Sequence, residues 1–383
     1  MANKLFTALL FVLLATGCTS TKKAVTDKAA LQISSLKFLD EYVIPHDEKF
    51  ENTWVGGLSG IDYDAAKDRY FLISDERSAT SPARFYTAMI KLNNYKIDTV
   101  AFTAVHPLLQ PDGTTFPSFA ENAARTPDPE SIRYNPVTHR LVWSSEGDKA
   151  RRNGSVILQD PYIYEMDTTG RFLDSFLLPP IMQVEAGEKG PRVNGVFEGL
   201  GFANRYQQLY ASVEEPLYED GPRASPDYAG APVRIMQFDT RTKTLQTQYA
   251  YLLDAVAREP KPANAFNVNG ISEILYIGNN RLLVIERSFS TGYEGCVVKL
   301  YLADMRGATN VSNLYGLHQL KNYKPITKKL LLNFNDLNRF VDNVEGITVG
   351  PLLPNGHQSM IFVVDNNFSA TEKTQLFLFE IIP

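Results

Sequence analysis

The chain has 383 residues, a formal net charge of −5 and a hydrophobic fraction of 44%. This length is sufficient for one large domain or two ordinary ones. The negative charge, together with the lack of any run of basic residues, argues against nucleic acid as a partner.

The amino terminus has the pattern of an export signal. Lys4 precedes an apolar run from Leu5 to Ala15, which is too short to span a bilayer as a stable helix. The segment that ends at Cys18 resembles the lipobox of bacterial lipoproteins, in which this cysteine carries the lipid. The alternative is an ordinary secretory signal that is cut nearby. We predict a signal peptide over residues 1–17, a polar tether over 18–34, and an outer-membrane lipoprotein that faces the periplasm.

The predicted domain covers residues 35–383. If Cys18 is lipidated, Cys296 has no partner, and the domain is stabilised by a large core rather than by disulfides. Beyond the signal, no segment is predicted to span a membrane.

The stretch "GGLSGIDYDAAKDRYFLISDERS", from Gly56 to Ser78, raises the question of a nucleophilic serine. The esterase elbow requires Gly-x-Ser-x-Gly, whereas Gly60 follows Ser59 directly. The residues after it alternate between apolar and polar around a turn-rich centre, which favours a β-hairpin. We therefore expect Ser59 to open a strand.

This hairpin pattern recurs along the chain. Similar stretches start at residues 59, 130, 198, 273 and 345, at intervals of 68 to 75 residues. Each has a short strand, a turn, a second apolar strand and an acidic residue at its end. Regular spacing over a whole chain indicates a repeat architecture.

Two further strands follow most of the hairpins, as in "PYIYEMDTTGRFLDSFLLP". Four strands in each repeat predict an all-β fold, a β-propeller of four-stranded blades. We count five repeats, whose length leaves room for a sixth blade in the inserts. The last repeat lacks a fourth strand, and "SLKFLDEYVI" (Ser35–Ile44) is predicted to supply it, so that strands from both termini close the ring.

Acidic residues are predicted to converge at one mouth of the channel, because first strands begin where second strands end. First strands start with Glu130, Glu198, Glu273 and Glu345, and second strands end with Asp75, Glu146, Glu214, Glu286 and Asp365. Ser59 occupies the glutamate position of the first repeat.

Crowded carboxylates cannot all ionise without compensation. Calcium is the cation that suits them, since it takes six to eight oxygen ligands in flexible geometry. The predicted metal ligands are Glu130, Glu198, Glu273, Glu345, Asp75 and Asp365. The alternative is structural pairing of the acids with Arg77, Arg133, Arg192 and Arg287. Zinc is disfavoured because the five histidines are scattered.

Arginines near the same end are candidates for substrate binding. A guanidinium group binds phosphate in a bidentate manner, and Arg84, Arg192 and Arg287 flank the acidic positions. Arginines at blade edges can equally be structural, and this alternative stays open.

Several motifs, in order, resemble those of the phytase-like domain family, described as having esterase-like activity of phytase. They are "GGLSGIDYD", "DPESIRY", "FEGLGF", "GISEILYI" and "VEGITVGP". The resemblance extends from about Val55 to Pro383. It implies a β-propeller and the hydrolysis of phosphate or carboxyl esters, and it assigns no catalytic residue.

From these observations we expect a lipid-anchored propeller that hydrolyses a small-molecule ester, preferably a phosphoric ester, with calcium at the channel mouth. A non-catalytic propeller that binds a ligand or partner at the cell envelope is the main alternative, because one fold supports both. A calcium-dependent lactonase is a third.

Overall fold

The computed structural model describes residues 30–152, 154–318 and 322–383. Strand β1 (Ser35–Ile44) comes first and is followed by a short hairpin of β2 (Lys49–Phe50) and β3 (Thr53–Trp54). Cys18 and the predicted signal peptide lie outside the described residues. Of the predicted tether, Leu31 donates its N–H to the carbonyl of Ile277 at 2.9 Å and Ile33 is buried, so contacts with the domain begin before Ser35.

The remaining strands form blades in chain order. Blade 1 contains β4 (Leu58–Asp64), β5 (Arg69–Ser74), β6 (Arg84–Asn93) and β7 (Lys96–Pro107). Blade 2 contains β8 (Pro129–Asn135) and β9 (Arg140–Ser145), an inserted hairpin of β10 (Asp148–Arg152) and β11 (Ser155–Gln159), then β12 (Tyr162–Asp167) and β13 (Phe172–Ser175).

Blade 3 contains β14 (Phe197–Ala203), β15 (Gln208–Val213), β16 (Pro232–Asp239) and β17 (Leu245–Leu252). Blade 4 contains β18 (Asn267–Gly278), β19 (Arg281–Ser290), β20 (Val297–Asp304) and β21 (Thr327–Asn333). Blade 5 contains β22 (Asn343–Leu352), β23 (Gln358–Asp365) and β24 (Thr374–Ile382).

Helical structure is confined to short segments within the described residues. They are the α-helix α1 (Phe119–Asn122) and 3₁₀ turns at Pro180–Met182, Tyr218–Asp220 and Phe334–Leu337. None of these combines the length and the apolar character needed to cross a bilayer.

The predicted all-β propeller is confirmed, with five four-stranded antiparallel sheets. Strand β1 completes blade 5 by pairing with β24, so that Ser35 lies opposite Ile382 and Ile44 opposite Thr374. The inserts of blade 2 form the β10–β11 hairpin rather than a sixth blade. Strand β1 thereby forms the outer edge of blade 5 and joins the two ends of the described chain in one sheet.

Turn residues and the apolar faces of the sheets explain why the sequence folds into packed blades. Asn279 and Asn280 link β18 to β19 with φ values of 53° and 54°, as a two-residue type I′ turn requires, and asparagine tolerates this conformation. Apolar clusters lie between successive blades, for example where Leu283 of blade 4 packs with Ile347 and Phe362 of blade 5. Burial of these faces against each other stabilises the ring.

The guanidinium group of Arg133 closes the central channel. It lies on the inner strand β8, is 2% exposed, and donates to one backbone carbonyl from each of the other four blades. These acceptors are Ile61 at 2.6 Å, Leu200 at 2.7 Å, Ile274 at 3.0 Å and Ile347 at 3.1 Å. The guanidinium group also forms an ion pair with the buried carboxylate of Glu273 at 2.7 Å.

Replacement of Arg133 should destabilise the whole ring. In Arg133→Met, the inner-strand carbonyls lose their donor and the buried Glu273 carboxylate loses its ion-pair partner. We therefore expect a loss of about 3–5 kcal/mol in the free energy of unfolding, measured by denaturant titration. The matched control is Arg140→Met on the neighbouring strand, whose half-exposed side chain pairs with Glu165 at 2.8 Å. This control should lose less than about 1 kcal/mol. Equal, small losses in both variants would contradict the proposed closure.

Candidate functional site

A β-bulge occurs at the same place in every inner hairpin, at one mouth of the channel. The strand registers shift between Leu58 and Gly60, Pro129 and Ile132, Phe197 and Gly199, Ile271 and Glu273, and Val344 and Gly346. A bulge leaves an extra residue unpaired and re-aims its side chain. The residues that occupy the bulges are Ser59, Glu130 with Ser131, Glu198, Ser272 and Glu345.

Two of the three serines of this series, Ser59 and Ser272, bind backbone rather than present a nucleophile. The hydroxyl of Ser59 donates to the carbonyl of Glu130 at 2.7 Å, and that of Ser272 to the carbonyl of Val344 at 2.8 Å. Each serine therefore links its blade to the inner strand of the following blade. Ser59 thus lies within strand β4, where its hydroxyl is engaged with backbone.

The sequence alignment of the fourth repeat is shifted by one residue. Ser272, not Glu273, occupies the position of Glu198 and Glu345, and Glu273 takes the position of a glycine in three other blades. Its carboxylate accepts from the hydroxyl of Ser131 at 3.0 Å and pairs with Arg133. Glu273 thus lies deeper in the channel and satisfies the closing arginine.

Because of the same shift, an arginine occupies the position at which the second strand of the other inner hairpins is followed by an acid. Arg287 occupies the position held by Asp75, Glu146, Glu214 and Asp365 in the other blades. Its guanidinium donates to Glu214 at 2.7 Å and to Glu345 at 2.5 Å. Glu286, expected at this mouth, instead accepts from the hydroxyl of Tyr251 at 2.7 Å and contacts Lys328.

The structure brings most of the predicted acids together and adds Asp128. We call the following set the acidic mouth: Asp75, Asp128, Glu130, Glu146, Glu198, Glu214, Glu345 and Asp365. Arg77, which the structural-pairing alternative named, contacts Asp128 at 3.4 Å and Asp148 at 2.7 Å. The predicted metal ligands except Glu273 are therefore neighbours.

The pKa values show how strongly these carboxyl groups resist ionisation together. Burial raises the pKa of Glu130, and the carboxylates of Glu198 and Asp75 raise it further. The pKa of Glu198 is raised in the same way, by burial and then by Glu214. Burial and neighbouring charges of the same sign are the two causes of a raised pKa that are expected for crowded acids. The acidic mouth therefore needs nearby positive charge, or protonation of some carboxyl groups, to offset the mutual repulsion of its carboxylates.

Two groups of side chains have the spacing of a metal site. One is formed by Asp75, Asp128 and Glu130, and the other by Glu130, Glu146 and Glu198, with ligand atoms within 4.8 Å of each other in each group. The oxygens are the ligand type that calcium prefers. The residues therefore fit a hard divalent cation.

The predicted substrate arginines are already engaged with protein groups. Arg84 is buried and pairs with Glu76 at 2.9 Å, and Arg287 joins two acids of the mouth. Arg192 donates to the carbonyls of Pro216 and Gly221, each at 2.8 Å. Of the three, Arg192 lies next to an open cavity, through its contact with the ring of Tyr218 at 4.2 Å.

That cavity is the basic feature that the sequence reasoning missed. It has a volume of about 270 Å³ and is lined by Lys149, Arg151, Val156, Val193 and Tyr218, among others. The first three belong to the inserted hairpin of blade 2, directly after Asp148, which pairs with Arg77. The basic residues of the sequence "GDKARR" at residues 147–152 could have indicated this cavity.

Comparison of the sequence with models of known protein families gives a match over most of the chain. Residues 53–368 match the family model of phytase-like proteins, described as "Esterase-like activity of phytase". The chain belongs to this phytase-like family. The match includes every residue of the acidic mouth and leaves out β1 and β24 of blade 5. Comparison with curated proteins gives no significant match.

Solved structures with a similar course of the chain include glycosidases. The GH43 β-1,3-galactosidase BT3683 is 11% identical, with 84% of this chain and 90% of that chain covered and a TM-score of 0.46. An endo-arabinase from Bacteroides thetaiotaomicron is 11% identical, with 86% and 95% covered and a TM-score of 0.41. An endo-1,4-β-xylanase from the same organism is 13% identical, with 90% and 92% covered and a TM-score of 0.41. At these TM-scores the likenesses carry no argument about activity.

The acidic mouth should make the metal-free protein less stable as the pH rises. Burial raises the pKa of Asp128 and of Asp365 to about 6 and that of Glu345 to about 8, whereas unfolded acids titrate near 4. The folded state therefore binds more protons between about pH 4 and 8, and its stability is lost across this window. Each pKa unit corresponds to about 1.4 kcal/mol.

The measurement is the free energy of unfolding in excess EGTA at about pH 5 and about pH 8. The protein should be less stable at the higher pH. Glu198→Gln, which removes one like charge from the cluster, should reduce the difference. A free energy of unfolding that rises with pH, as in ordinary acid denaturation, would contradict the charge assignment.

Proposed function

We propose that this phytase-like propeller is a calcium-dependent ester hydrolase that acts at the acidic mouth, with a phosphoric ester as substrate. The observation that carries the proposal is the pairing of buried, uncompensated carboxylates with a basic cavity beside them. Family membership supports ester hydrolysis, and the oxygen-only ligand set supports calcium.

The chain's own residues supply binding and orientation. Glu130, Glu146 and Glu198 would hold the cation, which when bound contributes positive charge that polarises a phosphoryl oxygen. Arg133 and Glu273 close the channel below, so an ester enters from the mouth only. Lys149 and Arg151 line the cavity through which an anionic substrate can approach.

The basic cavity favours an anionic ester over a neutral ester as the substrate. Lys149 lies with its ammonium group 5.9 Å from the ring centre of Tyr218, and Arg192 lies against the same ring at 4.2 Å. Lys149 and Arg151 line the cavity together with the apolar side chains of Val156 and Val193, and this combination favours an anionic group on an organic substrate.

A panel of chromogenic phosphate and carboxyl esters tests the activity. We expect phosphate-ester hydrolysis that requires calcium and is abolished by EGTA, and a loss of about 100-fold or more in Glu130→Gln, since it removes a central ligand. The matched control is Glu185→Gln, an exposed acid that pairs with Lys189 at 3.6 Å and should keep the full rate.

The other outcomes decide between the alternatives. Hydrolysis of carboxyl esters alone would overturn the phosphoric-ester assignment while keeping the enzyme. Absence of hydrolysis with every ester, from a folded and calcium-binding protein, would favour the non-catalytic ligand-binding propeller.

We also propose that Cys18 carries a lipid anchor at the outer membrane. The proposal is supported by the apolar run that ends in a lipobox-like sequence. Cys18→Ala should move the protein from the membrane fraction to the soluble fraction without changing its melting temperature. A variant that stays membrane-bound in high salt would contradict the anchor.

A further inference from the structure

The chain joins the domain at the end of blade 4 that lies opposite the acidic mouth. The N–H group of Leu31 donates to the carbonyl of Ile277 at 2.9 Å, and the guanidinium group of Arg281 donates to the carbonyl of Leu31 at 3.0 Å. Ile33 is buried in the cluster between blades 4 and 5. The described end of the predicted tether is therefore fixed to the turn that links β18 to β19.

This turn belongs to a face that we call the turn face. Gly278 follows Ser272 by six residues on β18, and at about 3.3 Å per residue the turn face lies about 20 Å from the acidic mouth. The inner hairpins of the other blades turn at the same face, because their strands also run from the mouth and back. The turn face comprises residues 65–68, 136–139, 204–207, 279–280 and 353–357, with the outer turns 94–95, 168–171 and 240–244.

Basic groups dominate the exposed charge of the turn face. The exposed cations within its turns are Lys67, Arg171, Arg205 and Arg241, and the exposed acid is Asp68. Ion pairs beside the turns have the same polarity, with the basic group outward and the acid inward. The side chain of Arg140 is 46% exposed and that of its partner Glu165 is 6% exposed. The protein thus has a basic surface opposite its acidic mouth.

Two apolar side chains at the turn face are also exposed. Val137, in the inner turn of blade 2, is 51% exposed, and Leu352, directly before the inner turn of blade 5, is 66% exposed. Apolar side chains among cations are typical of surfaces that bind the interface of a bilayer, where anionic headgroups attract the cations.

We propose that the turn face rests on the bilayer that holds the chain's lipid anchor, so that the acidic mouth points away from the membrane. The inference rests on the anchor at Cys18 proposed above and is independent of ester hydrolysis. Residues 18–29 separate the anchor from the described chain, and these 12 residues span at most about 40 Å. The tether contains Lys22, Lys23 and Lys28 against Asp27, so its charge has the same sign as that of the turn face.

Anionic lipid orients the domain because the two faces carry opposite charge. Basic groups that touch the bilayer lie within the Debye length of about 8–10 Å, over which the charge of the lipid acts on them. The carboxylates of the mouth, about 20 Å farther out, lie beyond it. Contact through the mouth would instead bring Glu130 and its neighbours against charge of the same sign.

This orientation narrows the substrate class of the proposed hydrolase. A lipid phosphate ester in the same bilayer would meet the turn face, where Arg133 and Glu273 close the channel and separate it from the acidic mouth. The mouth is open to dissolved esters on the side away from the membrane. The orientation therefore assigns the proposed activity to water-soluble phosphoric esters.

Energy transfer to acceptor lipids measures which face lies near the bilayer. The full-length lipidated protein is placed on vesicles of phosphatidylethanolamine and phosphatidylglycerol. A donor dye is attached to Thr138→Cys at the turn face or to Ala79→Cys beside the mouth, both at exposed positions. Cys296 is buried, so the wild type gives the background labelling. We expect several-fold more transfer from position 138 than from position 79, and a smaller difference on vesicles of phosphatidylcholine alone.

Charge reversal tests the basis of the orientation. The double variant Lys67→Glu, Arg241→Glu loses two exposed cations of the turn face, so transfer from position 138 should fall to the level of position 79. The matched control is Lys189→Glu, Lys261→Glu, which makes the same change in net charge in exposed loops on the mouth side. This control should keep the wild-type difference.

The outcomes separate this inference from the proposals made above. Equal transfer from both positions, more transfer from position 79, or a turn-face reversal that keeps the wild-type difference overturns the orientation. Absence of lipid on Cys18 by mass spectrometry rejects the anchor and the orientation together. The expected transfer from a protein that hydrolyses no ester leaves the orientation standing and rejects the proposed activity. The two labelled positions decide even where a reversal variant fails to fold.

Discussion

The ring depends on one buried cation, the guanidinium group of Arg133. An arginine has five N–H donors in a rigid plane, and here four carbonyls from four blades and the carboxylate of Glu273 meet them at 2.6 to 3.1 Å. A buried charge that lacks partners is costly. The five inner strands must therefore keep a fixed distance from the axis, and that constraint also sets the geometry of the mouth above.

Glycines make this close approach feasible. A side chain at Gly199 would lie 2.6 Å from the backbone nitrogen of Ile274 and 2.9 Å from a carboxylate oxygen of Glu273, so the inner strands of blades 3 and 4 could not keep their separation. Blade 4 carries Glu273 where blade 3 carries glycine, and its side chain fills the space above Arg133. The channel is thus closed by one ion pair that two non-equivalent blades supply.

The repeat, the four-stranded blades and the closure by Ser35–Ile44 were predictable, because alternation and turn residues are local properties of the sequence. The convergence of Glu130, Glu198 and Glu345 was predictable for the same reason. The one-residue shift in blade 4 was not, since a bulge decides whether Ser272 or Glu273 faces the mouth, and a bulge leaves no reliable pattern in a single sequence. The partners of Arg84 and Arg287 were equally hidden. Arg84 pairs with Glu76 in the loop before its own strand, and Arg287 pairs with Glu214 and Glu345 of the two flanking blades, and neither pairing has a pattern in the sequence.

The mouth is asymmetric although the repeat is regular. At equivalent positions blade 4 offers Ser272 and Arg287, whereas blades 2 and 3 offer glutamates. Because Arg287 compensates Glu214 and Glu345, the uncompensated charge is concentrated around Glu130 of blade 2. The basic hairpin with Lys149 and Arg151 is inserted into that same blade. Differences between the repeats have thus placed buried acids next to basic side chains, an arrangement that suits the charged ester proposed above and that a symmetric ring could not provide.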